Sequence, residues 1–467
     1  MAIRLEVCLV SGRTIALEAE PGARVAALAQ EAQEALGCTK GNLLTASGTC
    51  LDAGKTVAEA GLKAGDVLTF HARPVAVAAT IAAFAAIQGD GSAFSWGAID
   101  HGGDSSAFQR MLRHVQQIQC TNFAFAALLS DGTVLTWGHD EGGGNMGGVR
   151  SLLKNVREIQ ANEFAFAAIL DDGSVVAWGD PERGGDCSEV QAQLHDVRCI
   201  QRTSAAFAAL RGDGSVVLWG GGRDGNPGPA VKMCLTDVQH IQSSKREFAA
   251  IRADGSMVSW GASYEAPKTL CGAQQVQASD RAFAAILRDG SAVAWGDPDS
   301  GGDCSSVQER LKNVQAIQST RCAFAAILGD NSVVTWGTGG TFPPEPLEDV
   351  RCIQASSLAF AGICGDGSVV TWGGGRDGGD SAAVQSQLWG VKKLQATGHA
   401  FAALREDGSV VTWGAAGSGG DSSAVQHLLQ GVEDIQATSA AFAAILVDGS
   451  IVTWGDAPSG GRQLQPS

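Results

Sequence analysis

Along most of the chain the apolar positions fall in short runs and not at helical spacing. "FAAIL" (442–446) and "SIVTW" (450–454) are such runs, and Asp448-Gly449 stands between them. Short apolar runs bounded by turn residues, the second rich in β-branched and aromatic side chains, predict a pair of strands. Asp-Gly predicts the hairpin, because its turn needs positive φ angles that glycine adopts without cost. A third strand, "DIQA" (434–437), is predicted ahead of the pair. Before it, "GGDSSAVQHLLQGV" (419–432) reads as a glycine turn, an Asp or Ser cap and a helix of about two turns.

This unit recurs. Trp-Gly pairs begin at Trp96, Trp137, Trp178, Trp219, Trp260, Trp295, Trp336, Trp372, Trp413 and Trp454, in steps of 41 residues except for one of 35 and one of 36. A phenylalanine stands twelve residues before each, from Phe84 to Phe442. A three-stranded unit that is apolar on both faces must be covered by neighbours, which predicts radially stacked blades or a solenoid. The alanines of "AFAAI" predict a crowded inner strand. The tryptophan suits the wider part of the wedge, where its indole N–H finds a carbonyl. Ten units exceed the roughly four to eight blades of ordinary propellers. One wide ring, a ring with extra blades, two propellers and an open spiral all remain open. The two short steps fall where the capped helix is missing and read as shortened loops.

Residues 1–73 follow another grammar. "IRLEVCL" and "TIALEAEP" predict a strand pair, and "ARVAALAQEAQEALG" a helix whose apolar positions are Val25, Leu28, Ala32 and Leu36. "NLLTASGTCLDAGKTVAEAGL" and "DVLTFHAR" add a short strand, turns and a final strand. The segment resembles ubiquitin along its length, carried by "GRTIALEAEPG", "SGTCLDAGKTVAEAGLKAGDVL" and "LTFHAR". The resemblance implies a β-grasp fold. The chain runs on from Arg73 into "PVAVAAT" with no Gly-Gly, so an integral domain that is neither cleaved nor conjugated is expected. By the same resemblance, the aliphatic recognition patch of ubiquitin falls on Val10, Thr45 and His71. Only the first is aliphatic, and hydroxyl and imidazole groups at a patch centre require polar partners.

Residues 74–467 resemble the repeat of the regulator of chromosome condensation family. The matching order is V-x-x-I-Q-A, then F-A-A-I, then D-G-S-V-V-T-W-G and a glycine turn. The shorter period is similar to the beta-lactamase inhibitor protein II class, whose blades are mostly three-stranded. The family's glycine before the second strand is mostly Thr or Ser here, and its Gly-Gln-Leu-Gly turn becomes "GGDSS". The expected fold is thus a small α+β ubiquitin-like (β-grasp) domain followed by an all-β propeller-like array of ten repeats with short helices.

Composition narrows the chemistry. A formal charge of −16 opposes attraction to phosphate backbones and anionic lipid, so neither direct nucleic-acid nor membrane binding is expected. The start lacks the features of a signal peptide, and no apolar stretch is long enough to span a bilayer; a cytoplasmic or nuclear protein is expected. Cys187 and Cys304 share one slot of the repeat and Cys199 and Cys352 another, in places where sister units carry Ser, Gln or Asp. That interchange reads as small buried residues, with no disulfide frame, metal or cofactor. The acidic glycine turns offer one carboxylate each, too few for calcium, so Asp104, Asp186, Asp303, Asp380 and Asp421 read as caps. The eight histidines sit in unrelated slots, and nucleophile-elbow and phosphate-loop motifs are missing. No segment remains for a catalytic module, so no enzymatic activity is expected.

Departures from the repeat are then the guide to function. Trp389, in "QSQLWGV", lies where sister units place Gln430 or Asn155, a polar slot where a tryptophan is a candidate interface anchor. Phe123 and Phe164 are extra phenylalanines, read as local core packing. The expected role is a protein-interaction adaptor or scaffold linked to the ubiquitin pathway, with proteasome, ubiquitin-ligase or small-GTPase components as partners. The alternatives are a guanine-nucleotide-exchange-like regulator of a small GTPase and an accessory subunit of a ubiquitin ligase.

Overall fold

In the N-terminal segment the periodicity of the helix decides the packing. Strands β1 (Ile3–Leu9) and β2 (Thr14–Ala19) form an antiparallel pair, helix α1 spans Val25–Leu36, and β3 (Asn42–Leu44) and β4 (Val67–His71) complete a four-stranded sheet. The strand order is β2-β1-β4-β3, with β1 and β4 parallel, which is the β-grasp arrangement. Val25, Leu28, Ala32 and Leu36 lie on one helix face and are buried against Leu5, Val7, Leu43, Leu68 and Phe70 of the sheet. The computed structural model describes residues 2–9, 14–36, 41–45, 51, 53–71, 75–222, 227–261, 272–338, 347–448 and 450–461.

Each repeat folds as a three-stranded antiparallel sheet. The ten blades span 76–97, 115–138, 156–179, 197–220, 238–261, 273–296, 314–337, 350–373, 391–414 and 432–455, and are numbered 1 to 10 in that order. Their packing follows from alternation along the middle strand. In blade 3, Ala165, Ala167 and Ile169 face blade 4, while Phe166 and Ala168 face blade 2. Phe166 lies directly opposite Trp178 of the outer strand and stacks on it, with centroids 5.1 Å apart. This aromatic pair fills the space left by Ala124 and Ala126 of the preceding blade. Small side chains on one face thus receive large ones from the next, as close packing demands.

The same cluster recurs between every pair of neighbours, and it also joins the ends. Phe84 and Trp96 of blade 1 pack on Ala441, Ala443 and Ile445 of blade 10. Ser439 Oγ donates to Ile81 O across this seam at 3.0 Å. The ten blades therefore close into one ring.

Three local expectations need correction. The innermost strand is the first of each blade and not "AFAAI", which is the middle strand and buried on both faces. First strands of successive blades adjoin around a central channel lined by Gln160, Gln201, Ser243, Ala278 and Ser319. Glutamines and hydroxyls on this strand satisfy polar groups along its free edge. Ser319 Oγ accordingly donates to Ala278 O of the blade before it (2.6 Å), and Gln354 Nε2 to Gln395 Oε1 of the blade after it (3.3 Å).

The predicted two-turn helices are short 3-10 turns, such as Gln426–Leu428 and Ser188–Gln193. A single turn gains too few bonds to propagate. Here it is pinned by Leu429, which is fully buried, and by Gln426 Nε2, which donates to Val410 O at 2.9 Å. The acidic residue ahead of each turn accepts a backbone N–H two residues on, as Asp421 Oδ1 does from Ser423 and Asp186 Oδ1 from Ser188 (both 2.9 Å). These bonds are Asx turns that precede the cap position.

The hairpins likewise differ from a two-residue Asp-Gly turn. In blade 3, Gly173 N bonds Leu170 O and Leu170 N bonds Ser174 O, so the loop is a type I turn closed by one left-handed glycine, with φ of 78°. Gly173 is fixed twice over. A Cβ there would come within 3.0 Å of Asp196 Cα, because the hairpin tip docks on the chain entering blade 4 and its carbonyl accepts from Val197 N. Blade 7 uses Asn331 at φ of 64° in the same role.

Candidate functional site

The ring has two rims with different chemistry. On the hairpin rim the aspartate of each turn accepts from the serine or threonine two residues on; Asp172 Oδ1 receives Ser174 N at 2.9 Å and Ser174 Oγ at 2.6 Å. These bonds hold the carboxyls of Asp131, Asp172, Asp213, Asp254, Asp289, Asp330, Asp366 and Asp407 below the usual carboxylate range. That rim is a repeated acidic ring. The N-terminal domain meets it, since Asn42 Nδ2 donates to Asp90 O of the first hairpin at 3.0 Å.

On the opposite rim the connection from first to middle strand is a three-residue turn. Its first residue is buried and structural. Thr121 Oγ1 accepts from Ala124 N (3.0 Å) and donates to Gly142 O (2.8 Å), which ties the turn to the outer loop. Ser279 makes the same pair of bonds, to Ala282 N and Ser300 O. This is the work of the Thr and Ser at the first turn position. The second residues link blade to blade around the channel, as Asn122 N bonds Glu163 O (2.9 Å) and Ser204 N bonds Lys245 O (2.8 Å).

Because the second and third turn residues need only their backbone for this, their side chains are free to vary, and they do. The second position reads Ile81, Asn122, Glu163, Ser204, Lys245, Asp280, Arg321, Ser357, Gly398 and Ser439. The third holds Phe123 and Phe164 in blades 2 and 3, then Arg246 and Arg281 in blades 5 and 6. The two phenylalanines are half-exposed and do not join the core. Phe123 packs beside Phe164, His101 and His139 with centroids 5.8, 5.2 and 6.2 Å away, and the Arg183 guanidinium lies 3.8 Å over the Phe164 ring. Sequence reasoning missed this strip, since its members come together only when neighbouring blades pack.

Beside the strip the channel mouth opens into a cavity of about 750 Å³, with Glu163, Arg202, Lys245, Asp280 and Arg321 on its wall. Asp280 holds Lys245 at 3.2 Å and Arg321 at 3.0 Å, one carboxylate bridging cations from blades 5 and 7. Glu163 accepts from Ser204 Oγ at 2.7 Å. Arg202 and Arg246 are exposed and form no ion pair among the described residues.

The sequence-nominated residues lie elsewhere. His71 is half-exposed and directly opposite Asn42 on β4 and β3, which places it on the sheet face that meets the first hairpin. Thr45 is half-exposed one residue past β3, and Leu44 is the β3 residue sharing a face with His71 and Thr69. Val10 lies outside the described residues. Trp389 stands on the hairpin rim and is 58% exposed. Its slot matches Gln430 but not Asn155; the latter matches Gly390, and both adopt left-handed φ, 55° and 58°. The Arg405 guanidinium lies 3.5 Å over the indole while its Nε donates to Trp389 O. Arg211 and Arg252 make the same backbone bond to His195 O and Thr236 O, so the arginine is a repeated staple and Trp389 stacks on one copy of it.

The thiols behave as serine substitutes. Cys187 and Cys304 donate to Gln191 Oε1 and Gln308 Oε1, as Ser381 and Ser422 do to Gln385 and Gln426. Burial pushes the thiols of Cys187 and Cys304 up, and that of Cys120 to about 11. Among the described residues no group of three His, Cys, Asp or Glu side chains converges on a metal position, and no helix is long and apolar enough to cross a membrane.

No family model matches the chain, and no curated protein matches it. Among solved structures, the CRINKLY WD40 ectodomain of the Arabidopsis thaliana receptor kinase ACR4 is similar at 17% identity, over 54% of this chain and 93% of that one, with a TM-score of 0.33. Prp20p of Saccharomyces cerevisiae, described with its binding properties to Gsp1p and histones, is similar at 15% identity over 66% and 83%, TM-score 0.33. The ubiquitin of Caldiarchaeum subterraneum is similar at 19% identity over 15% of this chain and 91% of its own, TM-score 0.14.

Proposed function

We propose that this protein is a non-enzymatic interaction adaptor, in which the ring binds a protein partner at its channel mouth and the β-grasp domain connects the assembly to the ubiquitin pathway. The observation that carries this reading is the strip of half-exposed His101, Phe123 and Phe164 with exposed His139. Rigid aromatic groups beside arginine are the composition of interface anchors. The closed ring holds them in place, so little conformational entropy is lost on binding. The β-grasp domain sits on the opposite rim, which leaves the mouth clear for the partner. The cytosol or nucleus is the compartment this reading calls for.

Affinity purification with mass spectrometry, using the full chain and a chain beginning at Val75, tests it. The expected result is that both recover the same ring partner, and that proteasome or ubiquitin-ligase subunits accompany the full chain alone. Recovery of a small GTPase whose nucleotide release accelerates with the purified protein would replace the adaptor reading by an exchange activity. Identical sets lacking ubiquitin-pathway subunits would remove the connector role.

A further inference from the structure

Cations gather at the channel mouth of a chain whose net charge is negative, while Asp140, Glu141, Asp180 and Glu182 stand on the outer loops beside the aromatic strip. The chain carries −16, and the hairpin rim repeats a carboxylate in every blade. The mouth of the other rim gathers Arg202, Lys245, Arg246, Arg281 and Arg321 from blades 4 to 7. Three of these are spoken for: Arg281 pairs with Asp297 at 3.5 Å, and the Lys245–Asp280–Arg321 bridge sets two cations against one carboxylate. That bridge therefore keeps a net positive charge. Arg202 and Arg246 add two more, on exposed side chains with no carboxylate partner among the described residues. Glu163 is the opposing charge on the cavity wall beside them, and it is turned to Ser204.

A concave site whose charged lining is mainly of one sign concentrates its field; on the cavity wall Arg202, Lys245 and Arg321 outnumber Glu163 and Asp280, and the acidic opposite rim repels the same ligand. The aromatic strip adjoins the cavity at blade 3, where Phe164 follows Glu163 of the cavity wall. The cavity, of about 750 Å³, takes several side chains but no folded domain. Resting on the adaptor reading above, we infer that the mouth binds an acidic linear peptide segment of the partner. Its Asp and Glu side chains pair with Arg202, Arg246 and the Lys245–Asp280–Arg321 bridge, and an aromatic residue of the segment packs on Phe123 and Phe164. Arginine is suited to the first contact, since its planar fork matches a carboxylate with two parallel bonds.

The test uses the purified full chain and a fluorescein-labelled peptide of Asp and Glu with one central Phe, read by fluorescence polarisation. The peptide is expected to bind, and to weaken steeply between about 50 and 200 mM salt. The Arg202→Glu/Arg246→Glu protein is expected to lose at least ~10-fold in affinity with its circular dichroism and melting unchanged. Phe123→Ala/Phe164→Ala is expected to lose a similar factor for this peptide and little for one with Ala in place of Phe. Equal affinity of the charge-reversed protein, equal binding of the matching Lys peptide, or no binding at low salt overturns the inference. Full displacement by inorganic phosphate at millimolar concentration also overturns it, in favour of a small-anion site. If the peptide fails while affinity purification still recovers a ring partner that the mouth variants lose, the adaptor reading stands and only the acidic-peptide chemistry falls.

Discussion

The two rims of the ring are built from the same repeat and have diverged in opposite ways. On the hairpin rim nearly every blade carries the same Asp-Gly-Ser, with the same bonds at the same lengths; Asp172 and Asp407 each hold the hydroxyl two residues on at 2.6 Å. On the mouth rim the second turn position holds a different environment from blade to blade, from Glu163 to Lys245 to Gly398. The difference teaches where side chains are committed. A hairpin carboxylate is committed to closing its own turn. A mouth residue meets its architectural duty through backbone N–H and C=O, so its side chain is available for recognition.

Neighbouring phenylalanines give the sharpest way to break this comparison. Phe166 is fully buried and stacked on Trp178, so Phe166→Ala is expected to destabilise by ~3–5 kcal/mol in denaturant unfolding. Phe164, two residues earlier on the mouth, is expected to cost less than ~1 kcal/mol when truncated to Ala. Equal costs would mean that the mouth strip is core after all.

A second comparison sets long units against short ones. Trp336 Nε1 donates to Gly301 O at 3.0 Å, and Trp137, Trp178, Trp219, Trp413 and Trp454 each bond the equivalent glycine. Trp295 and Trp372 follow the two shortened linkers, and their indole N–H groups, like that of Trp96 at the ring seam, are buried without a partner among the described residues. Trp336→Phe is therefore expected to cost about 1 kcal/mol more than Trp295→Phe, read as a difference in unfolding free energy. Trp389→Ala on the hairpin rim removes a cation–π stack at an exposed site and is expected to cost about 0.5–1 kcal/mol.

The smallest effects per site belong to the hairpin carboxylates. Their folded-state pKa values are depressed by hydrogen bonds from Ser or Thr, so their contribution is present above the unfolded value and lost as pH falls through the folded one. The melting temperature is expected to hold from neutrality to about pH 4 and to drop below it, and Asp172→Asn is expected to flatten that drop slightly. A melting temperature rising toward acid would contradict the assignment.

Much of the architecture was legible in the chain. The strands and their count followed from "FAAI", "VVTW" and the constant spacing of Phe and Trp, and the Phe–Trp stack is the direct consequence of that spacing. Which strand lies innermost was not legible, because alanine suits both a narrow centre and a strand pressed between two blades. The strand order decides it, with "AFAAI" in the middle of each sheet. Closure into one ring was equally hidden, since it depends on a small rotation summed over all blades. The mouth escaped for the same reason: Phe123 and Phe164 are 41 residues apart, and only blade packing sets their rings side by side. Trp389 attracted notice as a lone departure, yet its stack on Arg405 makes it part of a repeated staple.

The central claim is that the mouth rim, and not the hairpin rim, carries the partner. The most direct measurement compares partner recovery by three full-length chains: the native one, one with Phe123→Ala, Phe164→Ala, Arg202→Glu and Arg246→Glu, and one with Trp389→Ala. Loss of the partner from the mouth variant, with full recovery by Trp389→Ala, is the result expected here. Recovery by the mouth variant and loss from Trp389→Ala would place the interface on the acidic rim and contradict the account.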